Sequence, residues 1–283
     1  MELVTSIQSM HDLAERLRRE GKVICFVPTM GYLHQGHLIL IQEGKSRGDI
    51  LVVSIFINPT QFGVGEDYAV YPHDLEKDIK LAESVGTDFL FVPTVKEMYP
   101  ESYQTFVVVE EVTKNLCSLS RPTHFRGVTT VVTKLFNIVR PDVAIFGEKD
   151  FQQLITLRRM VKDLNFDIEI VGMPIYREED GLAMSSRNIY LNHDERKAAL
   201  SLHYSLLKAV ELFSCGERST ERIIGEVSRI LGAEKLVTID YICICDTENL
   251  RDLAEINTDA VLAVAAKVGK TRLIDNVVLR PSQ

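Results

Sequence analysis

The stretch that decides the fold reads Val27-Pro28-Thr29-Met30-Gly31-Tyr32-Leu33-His34-Gln35-Gly36-His37-Leu38. Residues 22–27 lead into it as a short apolar run rich in β-branched side chains, which predicts a buried strand. Leu38 and Ile41 follow at the spacing of one helix face, and a polar tail comes after them. The stretch therefore predicts a strand, a glycine-containing loop and a helix, with His34 and His37 at the turn into the helix.

This turn has residues suited to binding phosphate. The first turn of a helix offers N–H groups without helical partners and the positive end of the helix dipole. Two imidazoles there can donate to phosphate oxygens and stabilise the charge that builds up when a phosphoanhydride breaks. The loop is not a P-loop, because no Gly-Lys-Ser/Thr closes it. On these residues alone, two histidines in an ordinary polar turn remain an open alternative.

The composition narrows the class of protein. With 283 residues, 46% of them hydrophobic and 25% charged, the chain is expected to be globular, with one large or two modest domains. A net charge of −8 argues against binding to nucleic acid or to an anionic membrane. The five cysteines lack paired CxxC spacing, which predicts reduced thiols. No signal peptide or membrane-spanning run is recognised, so we expect a cytoplasmic protein.

Strands and helices alternate outward from this stretch as far as Pro174. The apolar patterns predict further strands and helices in the order 49–57, 75–85 (helix), 87–92, 105–110, 127–140 (helix), 143–146, 151–164 (helix) and 166–171. Alternation of this kind predicts an α/β fold with a Rossmann-like, doubly wound parallel sheet. We assign residues 1–175 to this domain.

The pattern changes after Pro174. Two helices are predicted first, at 193–213 and 220–231, and three strands follow at 237–245, 260–268 and 271–279. The short link between the last two strands predicts a hairpin. Residues 176–283 are therefore assigned to a smaller C-terminal α+β domain.

Three further polar stretches stand at places where ligands bind. Residues 58–63 follow the strand at 49–57, residues 147–153 follow the strand at 143–146, and residues 184–187 lie at the domain joint. Because the carboxyl ends of parallel strands share one edge of a sheet, the first two are expected near the histidine turn. Their co-occurrence favours a nucleotide site.

The side chains in these stretches suit a phosphorylated ligand and an organic acid. Lys149 can neutralise phosphate charge, and Gln61 and Gln153 can each donate and accept hydrogen bonds to a hydroxylated acid. The 184–187 stretch adds two hydroxyl groups and a guanidinium. Taken singly, Lys149 could also be a solvated loop charge, and Ser185-Ser186 a helix-capping turn.

The motifs taken together resemble a known family. Pro28-Thr29-Met30-Gly31 with His34-Gln35-Gly36-His37 resembles the HIGH-type motif of the nucleotidylyltransferase superfamily, and Met184-Ser185-Ser186-Arg187 is similar to its KMSKS-type signature, with Arg in place of a lysine. With residues 56–62, 121–127, 146–153 and 180–188, the chain closely resembles the pantoate–β-alanine ligase (pantothenate synthetase) family over essentially its whole length.

The resemblance implies a two-step reaction that uses ATP and Mg²⁺. Pantoate would attack the α-phosphate of ATP to give pantoyl adenylate and pyrophosphate, and the amine of β-alanine would then displace AMP to give pantothenate. The implied partners are these small molecules and a second copy of the chain in a homodimer, with no nucleic acid and no membrane. The C-terminal domain would act as a lid.

The resemblance also implies the site residues. His34, His37 and Lys149 would be catalytic, Gln61 and Gln153 would bind pantoate, Gln61 would lie near β-alanine, and Asp78 matches a candidate metal ligand. The implied ATP-binding residues are Met30, Gly31, Tyr32, Leu33, His34, Gln35, Gly36, His37, Gly147, Glu148, Lys149, Asp150, Tyr176, Met184, Ser185, Ser186 and Arg187.

The chain departs from the family pattern at two places. Thr60 stands where the family usually has Met, and His73 stands where it has Arg. Two other functions stay open: a different nucleotidylyltransferase that stops after nucleotidyl transfer, and a regulatory module that binds a nucleotide without turnover. The first would not need the pair Gln61 and Gln153, and the second would not need two histidines placed for phosphorus chemistry.

Overall fold

The computed structural model describes residues 1–281, which divide into two compact units. The first unit comprises Met1–Val109, Arg121–Glu148 and Thr156–Pro174. The second comprises Glu110–Ser120, Lys149–Ile155 and the chain from Ile175 onward. The units thus interleave along the sequence, and the assignment of 1–175 and 176–283 as functional domains stays a prediction.

The first unit contains a six-stranded parallel sheet in the order β1-β4-β3-β2-β5-β6. The strands are β1 (Glu2–Val4), β2 (Ile24–Thr29), β3 (Ile50–Ile55), β4 (Phe89–Phe91), β5 (Val143–Gly147) and β6 (Glu169–Met173). The chain adds β3 and β4 on one side of β2, and β5 and β6 on the other. This reversal confirms the predicted doubly wound, Rossmann-like sheet. Its central strands are almost wholly buried, as their continuous apolar sequences require.

The helices lie close to their predicted positions. They are α1 (Ile7–Arg19), α2 (Gln35–Arg47), α3 (Leu75–Ser84), α4 (Val95–Met98), α5 (Cys117–Ser120), α6 (His124–Val139), α7 (Phe151–Asp163), α8 (His193–Ser214) and α9 (Thr220–Gly232). The sequence patterns did not predict the four-residue helices α4 and α5 or the three-residue β1, because such short elements carry no periodicity. Within residues 1–281, no helix is long and apolar enough to cross a membrane.

The strand predicted at 105–110 is wrong, because this segment contains no strand. Side chains of α6 take the backbone groups that a neighbouring strand would have used. The Val107 N–H donates to Thr130 Oγ1 at 3.0 Å, and Thr129 Oγ1 donates to the Val107 carbonyl at 2.6 Å. The segment is rich in β-branched residues, but at Val107 its backbone is hydrogen-bonded to side chains of a helix.

The second unit contains an antiparallel sheet in the order β7-β8-β9, which confirms the predicted α+β character. The strands are β7 (Val237–Asp246), β8 (Ala260–Val268) and β9 (Thr271–Leu279). Val268 pairs with Thr271, so the predicted hairpin is confirmed. Helices α8 and α9 share one apolar core with this sheet, which includes Leu202 and Val227.

The buried amide of Gln152 connects the two short segments of the second unit, 110–120 and 149–155. Its oxygen accepts from the Cys117 N–H at 3.1 Å, and its nitrogen donates to the carbonyls of Val112 and Asn115 at 3.0 and 2.9 Å. Gln152 therefore has a structural role, whereas its neighbour Gln153 is the glutamine predicted to bind pantoate.

Candidate functional site

The histidine turn lies at the carboxyl end of β2, where the order of strands reverses. Strand β2 ends at Thr29, His34 is the N-cap of α2, and His37 is the third residue of the helix. The predicted strand, loop and helix are thus all present. Ligands of open parallel sheets bind at this edge, beside the point of reversal.

The geometry of His37 determines which nitrogen carries its proton. The His34 backbone N–H donates to His37 Nδ1 at 3.3 Å. Nδ1 therefore acts as an acceptor, and a neutral His37 carries its proton on Nε2. The rings of His34 and His37 stack with their centroids 3.9 Å apart. The turn can thus offer the Nε2–H of His37 to an anionic oxygen.

Asp78, from α3, holds the backbone of the same turn. Its Oδ2 accepts from the Tyr32 N–H at 2.7 Å and its Oδ1 from the Leu33 N–H at 2.6 Å, and only 1% of the residue is exposed. Burial raises the pKa of Asp78, and the two N–H bonds oppose that rise. Gly31 and Tyr32 both have left-handed backbones, with φ of +80° and +51°, so the carboxylate stabilises an unusual turn.

Gln61 ends the 3₁₀ turn Pro59–Gln61, which follows β3. Its side-chain oxygen accepts from Asn58 Nδ2 at 3.1 Å, so its amide nitrogen is the group left to donate. That nitrogen lies 2.8 Å from Met30 Sδ. The structure thus brings the predicted pantoate residue against the predicted ATP loop.

Asn58 is a functional candidate that the sequence reasoning missed. It is 1% exposed, and its Nδ2 also donates to the Gly127 carbonyl at 3.1 Å. Its Oδ1 accepts from Thr60 Oγ1 and Tyr99 Oη, each at 2.9 Å. An Asn directly after a buried strand and before a proline was the available signal. The hydroxyl of Thr60, one of the two departures from the family pattern, joins this network.

The Arg121–Gly127 motif, which leads into the first turn of α6, supports the Pro59–Gln61 turn. The Gln61 carbonyl accepts from His124 Nδ1–H at 2.9 Å and from Arg121 Nη2 at 3.2 Å. Arg121 also pairs with Glu66. Burial alone would raise the pKa of Glu66, but the hydrogen bonds and charge of Arg121 outweigh it and lower that pKa.

The remaining predicted ATP residues, and the predicted pantoate residue Gln153, divide between the two units. Gly147 ends β5 and, with Glu148, belongs to the first unit. Lys149, Asp150, Gln153, Tyr176 and the 184–187 stretch belong to the second unit.

Residues 176–184 form a hairpin in the second unit. The Tyr176 carbonyl accepts from the Met184 N–H at 3.0 Å, and Arg177 pairs with Ala183. The predicted ATP residues Tyr176 and Met184 are thus adjacent at the open end of this hairpin. Ser185 caps the following 3₁₀ turn by accepting from the Arg187 N–H at 3.3 Å, as the capping alternative expected.

The comparisons with known proteins agree over the whole chain. The family model "Pantoate-beta-alanine ligase" matches residues 2–278. Pantothenate synthetase of Geobacter sulfurreducens is 56% identical over 100% of both chains, and that of Syntrophus aciditrophicus is 55% identical over 98% of this chain and 96% of the relative. The chain belongs to the pantoate–β-alanine ligase family. It is therefore an enzyme of the ligase class, as predicted.

Solved structures of the family have the same fold. Pantothenate synthetase from Thermus thermophilus matches with a TM-score of 0.94 and 44% identity, over 99% of this chain and 100% of that one. The Francisella tularensis ligase, solved in complex with "Beta-gamma ATP and Beta-alanine", matches with a TM-score of 0.81 and 34% identity, over 98% of this chain and 97% of that one.

The Asp78 carboxylate does not fit the role of metal ligand that the resemblance implied. Both of its oxygens accept backbone N–H bonds, and it is buried. In the described part of the chain, no group of three or more His, Cys, Asp or Glu side chains is placed to hold a metal ion. Magnesium bound to ATP takes its ligands largely from phosphate and water, so the family's nucleotide chemistry does not require such a group.

Proposed function

We propose that this enzyme joins pantoate to β-alanine through a pantoyl-adenylate intermediate. In the first step a pantoate carboxylate oxygen attacks the α-phosphorus of ATP, and the bond to the β-phosphate breaks to release pyrophosphate. In the second step the amine of β-alanine attacks the acyl carbon, the bond to the AMP oxygen breaks, and the amine gives up a proton. Membership of the ligase family supports the overall ligation, and the site supports its order.

The histidine turn is the observation that carries this proposal. His37 Nε2–H, at the N-terminus of α2, can stabilise the charge that develops on the α-phosphate oxygens, with His34 stacked beside it. Lys149 supplies positive charge for the phosphates, and the 184–187 stretch would close over them. By the resemblance, the backbone and side chains of Met30–His37, residues Gly147–Asp150 and the backbone of Tyr176 would also contact ATP.

Gln61 is suited to hold pantoate as a hydrogen-bond donor. Because Asn58 donates to its oxygen, its NH₂ group is the donor, and of its two N–H groups one is hydrogen-bonded to Met30 Sδ while the other can serve a carboxylate or hydroxyl oxygen. Met30 lies against that nitrogen, so a pantoate bound there would be next to the ATP loop. Gln153 would bind the same acid, and β-alanine would approach near Gln61.

Adenylation explains why the two steps must come in this order. A free carboxylate is a poor acceptor for an amine, since oxide would have to leave, whereas AMP is a good leaving group. Mg²⁺ is expected to accompany the ATP phosphates. A homodimer in the cytoplasm stays a prediction, as does the division into an ATP- and pantoate-binding domain (1–175) and a lid domain (176–283).

Labelled pyrophosphate tests the proposal directly. It should exchange into ATP when pantoate and magnesium are present and β-alanine is absent. AMP and pantothenate should then appear when β-alanine is added. Exchange that needs β-alanine, or that proceeds without pantoate, would contradict the adenylate order. ATP binding without any turnover would favour the regulatory-module alternative.

A further inference from the structure

Two adjacent polar residues, Asp275 and Asn276, lie in the middle of β9 and are not among the proposed catalytic or binding residues. Both side chains are buried, with 2% and 5% of each residue exposed. Consecutive residues of a strand point to opposite faces of the sheet. Two adjacent buried polar residues must therefore find their partners on two different sides of β9.

Asp275 contacts the hairpin 176–184. Its oxygens accept two hydrogen bonds from Arg177, at 2.7 Å from Nη1 and 2.9 Å from Nη2. Arg177 Nη1 also donates to the Gly181 carbonyl at 3.1 Å, at the tip of the hairpin. Leu182 of the hairpin lies in the same apolar core as Leu273, two residues before Asp275. This face of β9 thus fixes the element that leads into the 184–187 stretch.

Asn276 contacts the backbone of Lys149, the second residue proposed to bind the ATP phosphates. Its Nδ2 donates to the backbone carbonyl of Lys149 at 3.0 Å, across 127 residues of sequence. The Asn276 N–H donates to Asp275 Oδ1 at 2.8 Å, so the two side chains belong to one network. Lys149 and Asn276 are both in the second unit.

We propose that Asp275 and Asn276 are positioning residues that set the spacing between Lys149 and the 184–187 loop. The inference rests on the proposed function, since it takes both elements as ligands of the ATP phosphates. Lys149 reaches its place through a long, flexible side chain, so its backbone must be held for its ammonium group to be placed reproducibly. One strand that holds both elements lets them bind the phosphates as a pre-arranged pair. Misplacement of a reacting group by about 1 Å can cost roughly 100-fold in rate.

A double-mutant cycle tests the link to Lys149. Asn276→Asp keeps the shape of the side chain and removes its donor, and it should slow pantoate-dependent pyrophosphate exchange about 10–100-fold. It should change the reaction of supplied pantoyl adenylate with β-alanine less than about threefold, because that step does not use the triphosphate. In a Lys149→Ala background, Asn276→Asp should slow exchange further by less than about twofold.

Ser120→Ala is the matched control. Ser120 Oγ donates to Asp240 Oδ2 at 3.0 Å, a comparable bond between a short segment of the second unit and its sheet. Its removal should leave exchange within about twofold of the wild type.

Asp275→Asn tests the link between β9 and the 184–187 stretch. It should slow exchange, and this effect should vanish in an Arg187→Ala background.

The outcomes are separable. If the wild type shows no pantoate-dependent exchange, the proposed function fails. If Lys149→Ala is impaired but Asn276→Asp exchanges normally, or if the two effects multiply in full, the positioning role is overturned while the function stands. Should Asn276→Asp not fold, Asn276→Ala takes its place, and failure of both to fold would make Asn276 purely structural and overturn the inference.

Discussion

At the scale of single residues, the proposed catalysis depends on which atom of each side chain is a hydrogen-bond donor. His37 Nδ1 accepts from the His34 N–H, which places the proton of a neutral ring on Nε2. Gln61 Oε1 accepts from Asn58, which leaves donation to its amide nitrogen, already hydrogen-bonded to Met30 Sδ. Both side chains are thereby made donors toward an anionic ligand. Neighbouring backbone and amide groups set this polarity, which a motif by itself does not specify.

Replacing His37 by Ala should slow pyrophosphate exchange by about 10²–10³-fold, the usual effect of losing one transition-state donor. The melting temperature should change little, because the turn is polar and only partly buried. His193→Ala, at an exposed position of α8, serves as the control and should leave exchange unchanged. An equal effect of both changes, or unfolding of His37→Ala with normal activity in the folded fraction, would contradict a catalytic role.

Replacing Asp78 by Asn should weaken the use of ATP. The new NH₂ group would face one of the two N–H donors of Tyr32 and Leu33, and a charged hydrogen bond of about 1.5–3 kcal/mol would be lost. We expect the KM for ATP in the exchange assay to rise about 10–100-fold. Glu76→Gln, an exposed change in the same first turn of α3, should have no effect. A defect that excess magnesium repairs would instead identify Asp78 as a metal ligand.

At the scale of elements, α6 packs so closely on the Pro59–Gln61 turn at Gly127 that no side chain fits between them. A Cβ placed on Gly127 would lie 2.5 Å from the backbone nitrogen of Gln61 and would also clash with Thr60. Asn58 bridges the same gap by donating to the Gly127 carbonyl. The glycine in the Arg121–Gly127 motif is therefore required by contact between two elements.

Gly127→Ala should force the turn away from α6, at a cost of about 1–3 kcal/mol of stability. The displacement moves Gln61, so the KM for pantoate should rise more than the KM for ATP. Gly225→Ala, in α9 where a Cβ would meet nothing within 4 Å, is the control and should be neutral or slightly stabilising. Unchanged pantoate dependence in a folded Gly127→Ala enzyme would remove the Gln61 turn from the pantoate site.

At the scale of the whole molecule, the division into units does not follow a single cut in the sequence. Segments 110–120 and 149–155 belong to the second unit, held to each other by Gln152 and to its sheet by the Ser120–Asp240 and Lys149–Asn276 bonds. A cut after residue 175 would separate both segments from the sheet on which they pack.

A fragment of residues 176–283 should therefore be clearly less stable than the same unit in the full chain. We expect its melting temperature to be at least about 8 °C lower, since about 1 kcal/mol corresponds to 4–8 °C for a domain of this size. Circular dichroism and hydrogen exchange of the fragment and the full chain provide the measurement. A fragment that melts cooperatively at the temperature of the full chain would show that the two segments contribute nothing to its stability.

Much of this protein follows from its sequence alone, because the deciding signals are local. Runs of neighbouring residues predicted three features: the β2–α2 turn with His34 and His37, the alternation of strands and helices in a doubly wound sheet, and the bounds of β8 and β9. Periodicity and turn chemistry act over a few residues, so they can be read without knowledge of the fold.

Only the tertiary structure decided what depends on partners distant in sequence. The segment 105–110 has the composition of a strand, yet the N–H and carbonyl of Val107 bond to the side chains of Thr130 and Thr129. The resemblance offered Asp78 as a metal ligand, but the fold places it against the backbone of Tyr32 and Leu33. The Asn276–Lys149 bond spans 127 residues. Buried polar groups must be satisfied by whatever the fold brings near, and no local pattern records that choice.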